Sequence, residues 1–117
     1  MAQGVFEPLL LYAGHAAKIN FTVTDGDAAP VDLTGHVLTF RVGARPPSQA
    51  LIEKTNGAGV TITDGPGGRF EVLIASGDTA GLEGRYAFQA VDQEPGGESF
   101  IIASGDADIL PVIGPAA

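Results

Sequence analysis

The chain has no cysteine and no tryptophan, a single methionine, and only 6 lysines and arginines among 117 residues. Without thiols, disulfides and thiolate metal sites are excluded. Without tryptophan, and with few other aromatic residues, a stacking platform for sugars has little to be built from. No apolar run approaches the ~20 residues needed to cross a bilayer as a helix. The opening Met1-Ala2-Gln3-Gly4 lacks the basic start of a secretory signal, so the expectation is synthesis in a cytoplasm. The shortage of basic residues against 14 acidic ones leaves a formal net charge of −8. That excess repels phosphate backbones and anionic membrane surfaces, so neither nucleic acid nor membrane is expected as a partner.

Glycine (17) and proline (8) are abundant, and hydrophobic residues reach 44% against 17% charged. That balance is unlike a disordered chain and suits many short strands joined by Gly/Pro turns. The length corresponds to one domain, large enough to bury a core without staples.

The organising stretch is Asp32-Leu33-Thr34-Gly35 followed by His36-Val37-Leu38-Thr39-Phe40-Arg41-Val42. An Asp can accept from the amide two residues on and a Gly takes backbone angles closed to other residues, so the first four form a tight turn. The alternation behind it predicts a strand with Leu38, Phe40 and Val42 on its core face. Similar alternation places Ile19, Phe21 and Val23 inward on a strand over 16–24, bounded by Asp25-Gly26. It places Phe70, Val72 and Ile74 inward on another strand, and Tyr86 and Phe88 on a third. Shorter strands are expected over 51–54, 60–63, 99–103 and 108–113, with Pro111 marking the last as an edge or bulge. Ser76 to Leu82 reads as a loop with at most one helical turn, capped by Ser76 or Asp78. Seven or eight short strands at roughly ten-residue spacing, with no long helix, predict an all-β, immunoglobulin-like antiparallel β-sandwich, with a small closed barrel as the alternative.

Residues 1–13 stand apart as an N-terminal arm or edge strand, with the sandwich domain over 14–117. Pro8 excludes a central strand there. The apolar residues at the two ends, Val5, Phe6, Leu9, Leu10 and Leu11 before the first core strand and Val112 and Ile113 after Pro111, are the candidate partner-binding residues. Exposed apolar patches mark interfaces, although Leu9 and Leu11 can equally complete the domain's own sheet.

Catalytic and metal chemistry finds no support. His15 and His36 lie in or beside turns with no HExxH spacing, and each reads as a turn or surface histidine. Ser76 and Ser104 precede glycines without a G-x-S-x-G elbow. Asp25, Asp27 and Asp32, and Asp106 with Asp108, do not follow a calcium-loop spacing, and turn-forming roles account for them. The runs Gly57-Ala58-Gly59 and Gly65-Pro66-Gly67-Gly68 lack the Lys-Ser/Thr ending of a phosphate loop. No catalytic residue, cofactor or metal site is therefore assigned.

The ordered pieces nonetheless form a pattern. It runs from Gly14–Thr24 through Asp25-Gly26, Asp32-Leu33-Thr34-Gly35, Val37–Val42 and Ile52-Glu53-Lys54. It continues through Gly68-Arg69-Phe70-Glu71-Val72, Asp78-Thr79-Ala80-Gly81-Leu82 and Gly84-Arg85-Tyr86 to Gly105. This resembles the immunoglobulin-like N-terminal domain of the BppU (baseplate upper protein) type, found in tailed-bacteriophage baseplate and fibre proteins and small virion proteins. The likeness spans about Gly14 to Pro111 and implies no active site. It implies a non-enzymatic structural protein of the virion, made in the bacterial host cytoplasm. In the baseplate proteins a stalk or adaptor region follows this domain, whereas six residues follow Pro111 here. An adaptor role is therefore not expected. The first reading is a capsid decoration or cement protein docked on the head shell. It would contact the major capsid protein or other virion proteins and self-associate, most simply as a trimer. A tail, baseplate or fibre component is the second reading, and a carbohydrate-binding module is a remote third. Within the pattern, Asp78 and Thr79 are expected to cap a turn between sheets, Leu82 to plug the end of the core, and Gly84 to bend the chain before Tyr86.

Overall fold

The structure is a computed structural model, and it describes residues 2–3, 9–25, 27–44 and 50–111. The strands are β1 (Ala2–Gln3), β2 (Leu9–Tyr12), β3 (Ala17–Thr22), β4 (Thr24–Asp25), β5 (Val37–Gly43), β6 (Ala50–Asn56), β7 (Gly59–Asp64), β8 (Arg69–Ile74), β9 (Gly84–Gln93) and β10 (Ser99–Leu110). One helical turn, α1 (Ser76–Thr79), lies between β8 and β9. The short β1 and β4 pair with each other, and the remaining strands run in the order β2-β10-β9-β5-β6-β7-β8-β3.

That order folds back on itself. Strands β6 and β7 pair in parallel through only Thr55↔Gly59 and Asn56↔Val60, with two residues between them. A true parallel ladder needs a long crossover, so this contact is a corner at which the chain leaves one layer for the other. The ring of Phe21 on β3 lies 6.2 Å from that of Phe40 on β5 and 6.3 Å from that of Phe88 on β9. Strands so far apart in the order share side-chain contacts because the sheet folds over at that corner and two layers face each other. The front layer is β2-β10-β9-β5-β6 and the back layer β7-β8-β3. In immunoglobulin lettering these are strands C′, C, F and G with a first strand joined beside G, packed on D, E and B. The fold is an all-β, immunoglobulin-like sandwich. Among the described residues β2 and β3 do not pair, so the sheet does not close into the alternative barrel.

The core is the predicted one. Phe21, Val23, Leu38, Phe40, Val42, Phe70, Val72, Ile74 and Phe88 are buried, while Ile19 and Tyr86 are half-buried against them. Phe21 stacks on Phe70, its register partner, at 4.9 Å, and Phe40 on Phe88 at 5.9 Å. The core also takes Leu11, Leu33, Ile52, Val60, Ile102, Ala103, Ala107 and Ile109, which alternation over short windows did not single out.

Two expectations are corrected. The segments 99–103 and 108–113 are not separate strands, because Ser99 to Leu110 is one strand paired along β9. A bulge at Ile102 shifts the register between Ile101 and Ala103, so the inward face changes parity and the alternation looks broken in sequence. The strand stops at Leu110, just before Pro111, whose missing N–H ends the ladder.

The turn before β5 forms as expected. Asp32 Oδ1 accepts the Thr34 N–H at 2.9 Å. His36 N–H donates to the Leu33 carbonyl at 3.0 Å across Thr34 and Gly35. Gly35 has φ +80°, the value a type II turn requires at its third residue. Leu33 itself is fully buried, so the turn closes one end of the core.

Candidate docking face

The front layer's outer surface is set by register, since residues paired across antiparallel strands point to the same side. One row crosses four strands as Thr55, Thr39, Val91 and Ile101. The neighbouring row is Val37, Gln93 and Ser99, with the Ser99 hydroxyl hydrogen-bonded to Gln93. Val37 and Ile101 are 48% and 49% exposed although both are large and apolar. These two rows contain no charged residue. On one side they are bounded by the Arg41–Glu53 ion pair at 2.5 Å, in the row Glu53, Arg41, Gln89 and Ser104. Beyond the other end lies the β9–β10 turn with Glu94 and Glu98, closed by Glu94 N–H donating to the Glu98 carbonyl.

The back layer's outer surface differs in kind. Its rows place Lys18 beside Leu73, Asn20 beside Glu71 and Thr61, and Thr22 beside Arg69. Every row there carries a charge, which is what a solvated sheet face requires.

Of the residues assigned to a partner from sequence, Val5, Phe6, Val112 and Ile113 lie outside the described residues. Leu9 to Tyr12 form β2, which runs parallel to β10 from Ala107↔Leu9 to Leu110↔Tyr12. Alternation then divides the segment. Leu11 is 2% exposed and belongs to the core, Leu9 is half-buried against it, and Leu10 points outward at 58% exposure. Over these residues the chain is an edge strand, and Leu11 is closed to any partner. Leu10 and Tyr12 share the outer surface with Asp108 and Leu110, next to the Arg85–Asp108 pair at 3.0 Å.

The polar groups inside the domain serve packing. His36 was expected at a turn surface, but its side chain is only 12% exposed, with Nδ1 2.8 Å from Oδ1 of Asp92. The type II turn swings the ring back over the start of β5, toward the end of β9. Asp92 is almost wholly buried. Burial pushes its carboxyl above the ordinary 3.8, against the lowering effects of the His36 hydrogen bond and charge, while nearby Glu94 raises it further. Asn56 acts as a side-chain rung beside this pair, its Oδ1 accepting Leu38 N–H at 2.9 Å and its Nδ2–H donating to the His36 carbonyl at 2.8 Å.

Thr79 is fully buried, and its hydroxyl accepts Gly14 N–H at 2.9 Å while donating to the Tyr12 carbonyl at 3.3 Å. The expected cap between elements is thus Thr79, which ties α1 to the β2–β3 turn. Asp78 accepts the Ala75 N–H at 2.7 Å and pairs with Lys54 Nζ at 2.7 Å. Burial raises the Asp78 carboxyl, but the Lys54 and Ala75 hydrogen bonds and the Lys54 charge outweigh it and hold the group below 3.8. Leu82 packs against the core end as expected. The Tyr86 hydroxyl donates to the Glu83 carbonyl at 3.2 Å, a tyrosine folded back on the corner that leads into strand F. His15 is exposed beside the β2–β3 turn. Among the described residues, no cluster of three or more His, Cys, Asp or Glu is placed to hold a metal ion.

No protein-family model matches the chain. No curated protein matches it. Among solved structures it is similar to the fibronectin(III)-like modules of Clostridium thermocellum CbhA, at 10% identity and a TM-score of 0.47, covering 97% of this chain and 100% of that one.

Proposed function

We propose that this chain is a non-enzymatic docking module of a bacteriophage particle, a decoration or cement protein seated on the head shell through the outer surface of its front layer. The observation that carries the docking reading is the contrast between the two sheet surfaces. The back surface has a charge in every row, whereas the front has two successive charge-free rows with half-exposed Val37 and Ile101 at their ends. Leaving such a surface in water gains nothing for a solitary domain, and covering it removes apolar area from solvent. The assignment to a phage particle is supported by the sequence resemblance. A tail or baseplate seat is the second reading, favoured by that same resemblance.

The rows span only four strands, too small for the ~800 Å² per partner of a standard interface. Such a contact is weak singly and becomes effective when many copies bind a repeating lattice. The glutamates beside the charge-free rows call for a partner with basic residues around an apolar seat. The test is cosedimentation of the purified protein with phage heads lacking it. Val37→Glu and Ile101→Glu should abolish binding while leaving the melting temperature close to wild type, and Leu73→Glu on the back layer should bind normally. Full binding by both front-surface variants would sink the docking reading. Absence of the chain from purified particles would sink the virion reading. Presence in tails alone would select the second reading.

A further inference from the structure

Only two asparagines occur in the chain, Asn20 before Phe21 and Asn56 before Gly57. Asn-Gly is the pair in which a main-chain nitrogen most readily attacks the preceding side-chain amide, because glycine has no side chain to crowd the five-membered ring. Three hydrogen bonds oppose that attack here. The Asn56 amide is held at both ends, by Leu38 N–H at 2.9 Å and by the His36 carbonyl at 2.8 Å, so Cγ is held toward β5 and away from its own neighbour. The nucleophile is also engaged, with Gly57 N–H donating to the Val60 carbonyl at 3.1 Å.

We infer that Asn56 is a latent deamidation site which the folded corner between β6 and β7 keeps closed, so that modification records each opening of that corner. In the open chain Gly57 nitrogen loses its proton and bonds to Asn56 Cγ, and the side-chain nitrogen leaves as ammonia. Water then opens the cyclic imide at either carbonyl, giving aspartate or isoaspartate. Neither product restores the corner. A carboxylate can accept from Leu38 N–H but has no hydrogen to donate to the His36 carbonyl, so two acceptors face each other. Isoaspartate also adds a backbone atom within the short Thr55↔Gly59 and Asn56↔Val60 pairing of β6 with β7. The change at Asn56 is covalent, so the corner does not regain its original hydrogen bonds after it.

The experiment incubates the full chain at mildly alkaline pH, native and in concentrated urea, and follows both asparagines by peptide mass mapping. A reaction that proceeds from an open state scales with the population of that state, so Asn56 should react about tenfold or more slowly in the folded chain than in urea. Asn20, followed by a bulky residue, is the internal reference and should stay slow in both. Thr55→Val removes the 3.1 Å bond from the Thr55 hydroxyl to the Leu38 carbonyl without touching Asn56. It should speed native deamidation at Asn56 and leave the rate in urea unchanged. Equal native and urea rates at Asn56 would show that the corner guards nothing. A urea rate no faster than that of Asn20 would show that the site has no latent reactivity. Either result overturns the inference.

Discussion

His36 Nδ1 and Asp92 Oδ1 lie 2.8 Å apart although 56 residues separate them in sequence, and the Asp92 residue is 1% exposed. An ionised carboxylate only accepts, so in that state the hydrogen resides on Nδ1. The pair joins the turn before β5 to the end of β9 at the edge of the front layer's core.

This contact has a signed pH dependence. Asp92 binds its proton more tightly folded than unfolded, because burial raises it. Its contribution to stability is therefore full below the unfolded value and declines as pH rises through the higher folded value. Asp92→Asn cannot ionise and keeps an oxygen for the histidine. It should be at least as stable as wild type near neutrality, with the difference shrinking on acidification. Asp78 has the opposite sign: its lowered carboxyl stabilises above the unfolded value and loses that as pH falls through the folded one. Denaturant unfolding of wild type, Asp92→Asn and Asp78→Asn across the acid range would separate the two. Parallel curves for wild type and Asp92→Asn would contradict the assignment.

The Thr79 hydroxyl serves two main-chain groups from a fully buried position. Thr79→Val keeps the shape and strands Gly14 N–H and the Tyr12 carbonyl, which should cost about 1–3 kcal/mol in urea titration. Thr79→Ser should recover most of that loss. A valine variant as stable as wild type would mean that water serves both groups.

Two glycines should respond in opposite directions to alanine. A Cβ on Gly68, at φ +70°, would meet the Val23 carbonyl oxygen at 2.5 Å and that of Val31 at 2.8 Å. Backbone cannot yield cheaply there, and Gly68→Ala should cost about 1–3 kcal/mol or more in thermal unfolding. Gly77, inside α1, has open space around its Cβ position. Gly77→Ala should stabilise by about 0.4–1 kcal/mol by restricting the unfolded chain.

Deleting residues 1–11 removes three of the four residues of β2 and the buried Leu11. Loss of a buried leucine alone is worth about 2–5 kcal/mol, so the shortened chain should melt well below wild type. Leu10→Ser, on the outer surface, should leave the melt nearly unchanged. A truncation with wild-type stability would restore the free-arm reading.

The strands carrying Leu38, Phe40 and Val42, or Phe70, Val72 and Ile74, were legible because a two-residue period reports directly which side of a strand meets the core. The Asp32–Gly35 turn was legible for a similar reason, as its hydrogen bond and positive φ are local. Other features depend on residues far away in the chain. The Ile102 bulge is defined only against β9, so β10 read as two fragments. Leu11 gained an inward direction from its parallel partner β10, almost a hundred positions later, which no local pattern contains. His36 read as a surface residue because Asp92 is local to it only after folding. The charge-free rows exist only across four strands, with no one stretch of sequence holding more than a few of their members. Periodicity and turn chemistry act over a few residues and are written in order along the chain. Register, and with it every surface that spans strands, is decided when the layers close and each strand takes the neighbours that bury its apolar side.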